Sequence, residues 1–197
     1  MSRIAQIMPL NLATILTLAR IVLIPVLVVM FYMPWSWAHE CAAMVFLAAA
    51  LTDWLDGWIA RRFNQESSFG AFLDPVADKL MVAVTLVLLV QANPTWWMAV
   101  LAAVIIGREI SISALREWMA ELGQRTRIRV GSLGKLKTIM QMTALTMLLW
   151  RDPLFTIPIY QLGLVLLVVA AVLTLWSMGQ YLRAAWQTIA ESGADPK

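Results

Sequence analysis

The stretch from residue 53 to residue 78 reads DWLDGWIARRFNQESSFGAFLDPVAD and holds four aspartates: Asp53, Asp56, Asp74 and Asp78. The sequence on either side is apolar enough to lie in a membrane, where an unpaired carboxylate is costly and is by default a candidate functional group. Residues three or four apart share a helix face, so each aspartate pair lies on one face. The stretch therefore predicts two antiparallel helices, joined by the polar loop RRFNQESS, whose carboxylates converge.

Composition extends this prediction to the whole chain. The chain has 197 residues, of which 61% are hydrophobic and 14% charged, whereas soluble domains are about a quarter charged. We therefore predict an integral membrane protein with a single domain over residues 1–190 and a polar tail over 191–197. The first apolar run is long enough to remain in the membrane, so we interpret it as a retained helix and not a cleaved signal peptide.

Six segments are candidates for membrane-spanning helices, which need about 20 mostly apolar residues. They cover residues 12–33, 38–60, 69–90, 98–122, 135–150 and 159–182. Turns that contain Pro34, Pro94 and Pro153 separate successive segments on one side of the membrane. Pro75 is expected to bend the third helix or to begin its regular part. The sequence thus predicts an all-α bundle of six transmembrane helices.

Lysine and arginine positions predict the orientation of this bundle. Arg151 is the one basic residue on the side of the proline turns. The opposite side receives Arg3, Arg61, Arg62, Arg125, Arg127, Arg129, Arg183 and Lys197. Basic residues favour the cytoplasmic side, so both termini and the aspartate stretch are predicted to be cytoplasmic.

The four aspartates suggest a metal site that acts on phosphates. Converging carboxylates repel one another unless cations balance them, and Mg²⁺ and Mn²⁺ favour oxygen ligands. Such ions commonly neutralise phosphoryl oxygens during a displacement. Gly57 and Ala60 are small enough to let a bulky group lie against the helix, and Arg61 is placed to bind a phosphate oxygen.

A second unusual set is basic. Arg108 and Arg116 are eight residues apart, about two helical turns, and so share a face. Lys135 and Lys137 begin the next helix. These cations could bind an acceptor that carries its own phosphate; alternatively, Arg116 belongs to a solvated helix face. Glu109 is expected to orient one of the cations.

Other residues exclude several kinds of site. The single cysteine, Cys41, rules out an intrachain disulfide and a cysteine-based metal site. The single histidine, His39, is predicted in a loop, which makes histidine-rich metal sites and a Ser–His catalytic pair poor candidates. The sixth helix has few polar positions and is expected to serve as core or subunit interface.

The spacing D-x2-D-G-x2-A-R-x8-G-x3-D-x3-D is met in full, with Gly70 at its second glycine. This spacing is specific, and it resembles the signature of the CDP-alcohol phosphotransferases. The segments NLATILTLARIVLIP, REISISALREWMAELG and GKLKT extend the resemblance over nearly the whole chain. Within the family the chain is most similar to bacterial enzymes whose acceptor is sn-glycerol 3-phosphate.

The resemblance implies roles for particular residues. Asp53, Asp56, Asp74 and Asp78 would ligate two divalent cations, Mg²⁺ or Mn²⁺, and Asp78 would also be the general base. The CDP-lipid would be bound by Gly57, Ala60, Arg61, Gly70, Asn11 and Thr14. Arg20 would either line the nucleotide site or extend its charge to the membrane surface. Arg108, Arg116, Lys135 and Lys137 would bind the acceptor phosphate.

The resemblance also implies a reaction and its partners. The expected reaction transfers a phosphatidyl group from CDP-diacylglycerol to sn-glycerol 3-phosphate. It would take place at the bacterial inner membrane, with the site facing the cytoplasm. Membrane lipids and a second copy of the chain, in a homodimer, are the other expected partners, and no nucleic acid is expected.

Three alternatives remain open. The same scaffold serves enzymes with other acceptors, namely inositol phosphate, serine or phosphatidylglycerol, and the basic set argues against serine. A cation channel or transporter could use the aspartates as an ion site, although the chain lacks an internal repeat. A prenyltransferase would need a second aspartate-rich motif, which this sequence lacks.

Overall fold

A computed structural model of the chain describes residues 12–63, 68–121 and 132–193. These ranges form six helices: α1 (Leu12–Tyr32), α2 (Ala38–Phe63), α3 (Ser68–Ala92), α4 (Trp96–Glu121), α5 (Ser132–Trp150) and α6 (Ile159–Gly193). Within the described ranges the only β pairing is an isolated bridge between Leu154 and Ile157. The predicted all-α class is therefore confirmed.

The helix ends agree with the predicted segments to within three residues, with one exception. α6 continues to Gly193 and not only to Leu182. The apolar run ends near Leu182, but the amphipathic sequence that follows contains no proline before Pro196. A helix can be polar on one face, so α6 continues through the amphipathic sequence after the apolar run ends.

The structure also corrects two local predictions. α3 begins at Ser68, so Pro75 lies inside the helix, and of the two expectations for Pro75 the one that it begins the regular part is wrong. His39 lies in the first turn of α2 and not in a loop. There its Nε2 atom accepts a hydrogen bond of 3.1 Å from Arg151 Nη1, which links the start of α2 to the turn after α5.

The core of the bundle receives apolar side chains from every helix. One fully buried residue from each helix, in chain order, is Leu27, Phe46, Leu86, Ile105, Leu145 and Leu167. Three helices of the described part are long and apolar enough to cross a membrane, over Thr14–Tyr32, Trp96–Ala120 and Ile159–Arg183. No more than a third of each of these apolar windows is buried within the protein. Most of their apolar side chains therefore face outwards, as expected for contact with lipid.

The order of helix packing positions the site. α1 packs against α2 and α3, while α4 packs against α3 and α6. α5 packs most closely against α6, where Gly163 allows a close approach. A Cβ atom at Gly163 would lie 2.8 Å from Met147 Cβ and 3.1 Å from the Ala144 carbonyl oxygen. α1, α2 and α3 thus surround one set of polar side chains, and α4, α5 and α6 surround another.

Candidate active site

Three of the four predicted metal ligands come together between α2 and α3. Asp53 lies on α2, and Asp74 and Asp78 lie one turn apart on α3. One oxygen from each carboxylate lies within 4.8 Å of the other two. The three side chains are about one-third exposed. The sequence prediction that carboxylates from two helices converge is confirmed for these three residues.

Arg20 of α1 lies against all three carboxylates. Its Nη1 atom is 3.1 Å from Asp53 Oδ1, 2.9 Å from Asp74 Oδ1 and 2.5 Å from Asp78 Oδ1. The Arg20 side chain is only 1% exposed. The alternative that it extends its charge to the membrane surface is therefore wrong, because the charge is directed into the bundle.

The position of Arg20 explains how three carboxylates tolerate one another. A guanidinium among them supplies a positive charge and hydrogen bonds where charge repulsion would otherwise be strong. The distances from Arg20 Nη1, none above 3.1 Å, also show that one positive group can reach all three carboxylates at once. The donor set consists of carboxylate oxygens, which is the set that Mg²⁺ and Mn²⁺ prefer. The three aspartates therefore fit a divalent cation.

Other predicted residues of the donor site are described less fully. Thr14 is 2% exposed on α1, six residues before Arg20. Gly70 lies half-buried in the first turn of α3. Asn11 lies outside the described residues. Four further predicted residues belong to the last turns of α2, but their side chains lie outside the described part: Asp56, Gly57, Ala60 and Arg61.

Three residues of the predicted basic set, Arg108, Arg116 and Lys137, form a second cluster, the basic cluster, in which Arg108 and Lys137 meet at Glu109. Glu109 Oε1 accepts hydrogen bonds from Arg108 Nη1 at 2.8 Å and from Lys137 Nζ at 3.0 Å. Arg108 and Lys137 are both buried. The prediction that Arg108 faces the bundle interior is confirmed. The predicted residue Lys135 lies in the first turn of α5, and its side chain is outside the described part.

α6 contributes two side chains that the sequence interpretation did not assign. Ser177 accepts a 3.0 Å hydrogen bond from Arg108 Nη2, and the Tyr181 hydroxyl accepts one of 3.1 Å from Arg116 Nη2. The guanidinium carbons of Arg108 and Arg116 lie 6.0 and 5.4 Å from the centre of the Tyr181 ring. α6 is therefore not merely core or subunit interface.

The spacing of Ser177 and Tyr181 in the sequence already indicated that these two polar residues could act together. Ser177 and Tyr181 are four residues apart, so they share a face of a helix that is otherwise apolar. A tyrosine ring beneath two guanidinium groups offers cation–π attraction together with a hydroxyl acceptor. Arg116 is exposed, but its side chain is held by Tyr181. This contact favours a fixed orientation of Arg116 over the alternative that it belongs to a solvated helix face.

A cavity of about 290 Å³ lies between α3 and α4. Lys79, which follows Asp78, and Glu109 of the basic cluster both line it. The remaining lining is apolar and consists of Val76, Leu80, Val82, Ala83, Ile106 and Ile110. Val76, Leu80 and Ile110 are also exposed on the outer surface. The cavity thus borders Glu109 and Lys79, the residue after Asp78, and has a lining suited to an apolar chain.

Comparison with known proteins identifies the relatives of this chain. A family model described as CDP-alcohol phosphatidyltransferase matches residues 10–187. The chain is 55% identical to the CDP-diacylglycerol–glycerol-3-phosphate 3-phosphatidyltransferase of Salmonella choleraesuis (strain SC-B67), over 90% of this chain and 96% of that protein. It is 54% identical, over the same shares, to the proteins of that name from Shigella flexneri and Escherichia coli (strain K12).

Proposed function

The chain belongs to the CDP-alcohol phosphatidyltransferase family, and we propose that it transfers a phosphatidyl group from CDP-diacylglycerol to sn-glycerol 3-phosphate. The products are phosphatidylglycerophosphate and CMP. The observation that carries this proposal is the convergence of Asp53, Asp74 and Asp78 to within 4.8 Å, in a chain whose relatives bear the name of that activity.

In this proposal the aspartates hold two divalent cations, Mg²⁺ or Mn²⁺, with Asp56 as the fourth ligand. The bound ions would neutralise the pyrophosphate of the donor and stabilise the charge that develops on its oxygens. The carboxylates lie on two adjacent helices of a packed bundle and not on a loop. This rigid support favours a constant geometry during the reaction.

Asp78 acts as the general base. It takes the proton from the acceptor hydroxyl, whose oxygen forms a bond to the β-phosphorus of CDP-diacylglycerol. The bond between that phosphorus and the bridging oxygen breaks, and CMP leaves with the oxygen. Asp78 suits this role because it is the last aspartate of the motif and lies with Asp53 and Asp74. Its carboxylate is about one-third exposed, so an acceptor can approach it.

The basic cluster binds the phosphate of the acceptor. Arg108, Arg116 and Lys137 bring three positive charges to one region of α4 and α5, with Glu109 as an acidic partner of Arg108 and Lys137. Guanidinium groups match phosphate oxygens particularly well because they donate parallel hydrogen bonds. Lys135, which precedes Lys137 by two positions, adds a fourth cation. An acceptor without a phosphate, such as serine, would offer these cations no phosphate oxygens to bind.

The donor occupies the region between the two clusters. Its nucleotide portion lies against Asn11, Thr14, Gly57, Ala60, Arg61 and Gly70. One of its apolar chains enters the cavity between α3 and α4, whose lining is apolar apart from Lys79 and Glu109. Exposed Val76, Leu80 and Ile110 at this cavity let the chain pass to the surrounding lipid.

The enzyme crosses the bacterial inner membrane with six helices that form one domain over residues 1–190. Three described helices, α1, α4 and α6, meet the length and composition of a membrane span, and α2, α3 and α5 carry the aspartates and lysines of the site. Both termini and the site face the cytoplasm, because arginines and lysines concentrate on that side. The functional unit is a homodimer.

A CMP-release assay tests the reaction. The chain is purified in detergent and given Mg²⁺ or Mn²⁺ and CDP-diacylglycerol. The rate of CMP release is then compared between four acceptors: sn-glycerol 3-phosphate, inositol phosphate, serine and phosphatidylglycerol. We expect release with sn-glycerol 3-phosphate well above the others. Release only with another acceptor would overturn the substrate but keep the family, whereas no release with any acceptor would overturn the transferase proposal.

A further inference from the structure

Arg20 occupies the position that three carboxylate oxygens share. A single atom, Nη1, is within 3.1 Å of Asp53 Oδ1, Asp74 Oδ1 and Asp78 Oδ1. Those three carboxylates form the group that could hold a metal ion. The guanidinium is therefore not a neighbour of the candidate metal position but lies among its ligand atoms.

A divalent cation and this guanidinium cannot both use these oxygens in the observed arrangement. Mg²⁺ binds oxygen ligands at about 2.0–2.1 Å and demands nearly ideal geometry. An ion at that distance from all three oxygens would lie close to Nη1, and two positive groups at that separation repel strongly. One of the two must withdraw when the other binds.

The burial of Arg20 makes it energetically important that either the guanidinium or a divalent cation contacts the carboxylates. Arg20 is 1% exposed, so its guanidinium has given up nearly all of its hydration for contact with the carboxylates. The carboxylates are about one-third exposed, whereas the guanidinium is not. Separating them would leave the buried guanidinium without its counter-ions and the carboxylates with unbalanced mutual repulsion. The three carboxylates therefore need a cation, and Arg20 supplies one from within the chain.

We propose that Arg20 is an internal counter-ion that competes with the divalent metal for Asp53, Asp74 and Asp78. It balances the carboxylates until a metal ion displaces its guanidinium, and so it lowers the affinity of the site for metal. Arg20 is then a positioning residue that sets the metal concentration at which the site fills. This inference rests on the metal role assigned under the proposed function.

A different role for Arg20 would change metal affinity in another way. If Arg20 served only to hold the three carboxylates together, its removal would let them separate and would weaken metal binding. If it served only to bind substrate, its removal would leave metal affinity unchanged. Competition alone predicts that removal of the guanidinium makes metal bind more tightly.

Mn²⁺ binding to the purified full chain tests the proposal. The free ion is measured by electron paramagnetic resonance, without substrate, in the wild type and in Arg20→Gln, Arg20→Lys and Arg183→Gln. We expect the Kd for Mn²⁺ to fall by about tenfold or more in Arg20→Gln, the equivalent of ~1.4 kcal/mol. Arg20→Lys should give an intermediate value, because lysine keeps the charge without the planar fork. Arg183, an exposed arginine on α6, is the control, and its substitution should have no effect.

Thermal unfolding provides a second readout. In chelator, Arg20→Gln should unfold at a lower temperature than the wild type, and Mn²⁺ should raise its Tm by more than it raises that of the wild type. If Arg20→Gln does not fold, Arg20→Lys decides the question in both measurements. Unchanged or weaker Mn²⁺ binding in the folded variants would overturn the competition. Absence of Mn²⁺ binding in the wild type and in the folded Arg20 variants alike would instead overturn the metal role itself.

Discussion

Lys137 of α5 donates a 3.0 Å hydrogen bond to Glu109 of α4, and it is one of two cations that this carboxylate holds. Lys137 is buried and Glu109 is 28% exposed. The contact joins two helices that are separated in sequence by the basic segment before α5. A carboxylate at the centre of a basic cluster keeps the cations close together, which their mutual repulsion would otherwise oppose.

Substitution of Glu109 by glutamine should destabilise the protein. The glutamine side chain has nearly the shape of glutamate but no charge, so Arg108 and Lys137 would lose their shared anion. We expect a loss of about 1–3 kcal/mol in the free energy of unfolding, measured by thermal unfolding in detergent. Glu117→Gln, at an exposed position on the same helix, is the matched control. Equal stability of the two variants would contradict a role for Glu109 in holding the cluster.

Asp78→Asn should remove most of the activity while leaving the protein folded. Asparagine cannot accept the acceptor's proton, and a positioned base typically contributes about 10²–10⁴-fold to the rate. The measurement is kcat for CMP release at saturating concentrations of both substrates. Asp152→Asn, in the exposed turn after α5, should keep full activity. Substantial turnover by the Asp78 variant would remove Asp78 as the base.

Tyr181 should affect use of the acceptor more than use of the lipid donor. Tyr181→Phe keeps the ring beside Arg108 and Arg116 but loses the 3.1 Å hydrogen bond. A hydrogen bond of this kind is worth about 0.5–1.5 kcal/mol, or roughly 2- to 10-fold in KM for sn-glycerol 3-phosphate. Tyr181→Leu, which also loses the cation–π contacts, should raise that KM further. A comparable rise in KM for CDP-diacylglycerol would mean that Tyr181 does not belong to the acceptor site.

Removal of divalent metal should stop the reaction reversibly. Carboxylate ligands hold Mg²⁺ or Mn²⁺ through ionic contacts that a strong chelator can outcompete. We expect turnover to disappear in chelator and to return when excess Mg²⁺ or Mn²⁺ is added, as measured by CMP release. The control is an equal excess of a monovalent salt. Full activity in chelator, with metal content verified to be negligible, would contradict a metal-assisted mechanism.

Local sequence was enough to predict the helices and the carboxylate group. The turns that contain Pro34, Pro94 and Pro153, together with the polar segments RRFNQESS and QRTRIRVGSLG, interrupt the apolar runs, so the six helices could be located from one sequence. Asp74 and Asp78 lie one turn apart, and only the four residues 64–67 separate their helix from that of Asp53. Their convergence therefore follows from helix geometry and a single reversal of the chain.

The partners of these groups required the fold itself. Arg20 contacts Asp74 and Asp78 across 54 and 58 positions in sequence, and which face of α1 meets α3 is decided by packing throughout the bundle. Tyr181 meets Arg116 across 65 positions for the same reason. A charged residue in an apolar helix predicts that a partner exists, but periodicity alone does not identify the partner.

The continuity of α6 has a consequence for substitutions far from either cluster. Gly163 and Tyr181 lie in one helix, separated by about 27 Å along its axis. A bulkier residue at Gly163 would meet Met147 and force α6 to tilt away from α5. At that length a tilt of about 2° moves the far end of a rigid helix by about 1 Å, and a misplacement of this size can cost on the order of 10²-fold in rate. Substitutions at the far end of α6 are therefore expected to weaken the proposed acceptor site, although they lie far from it.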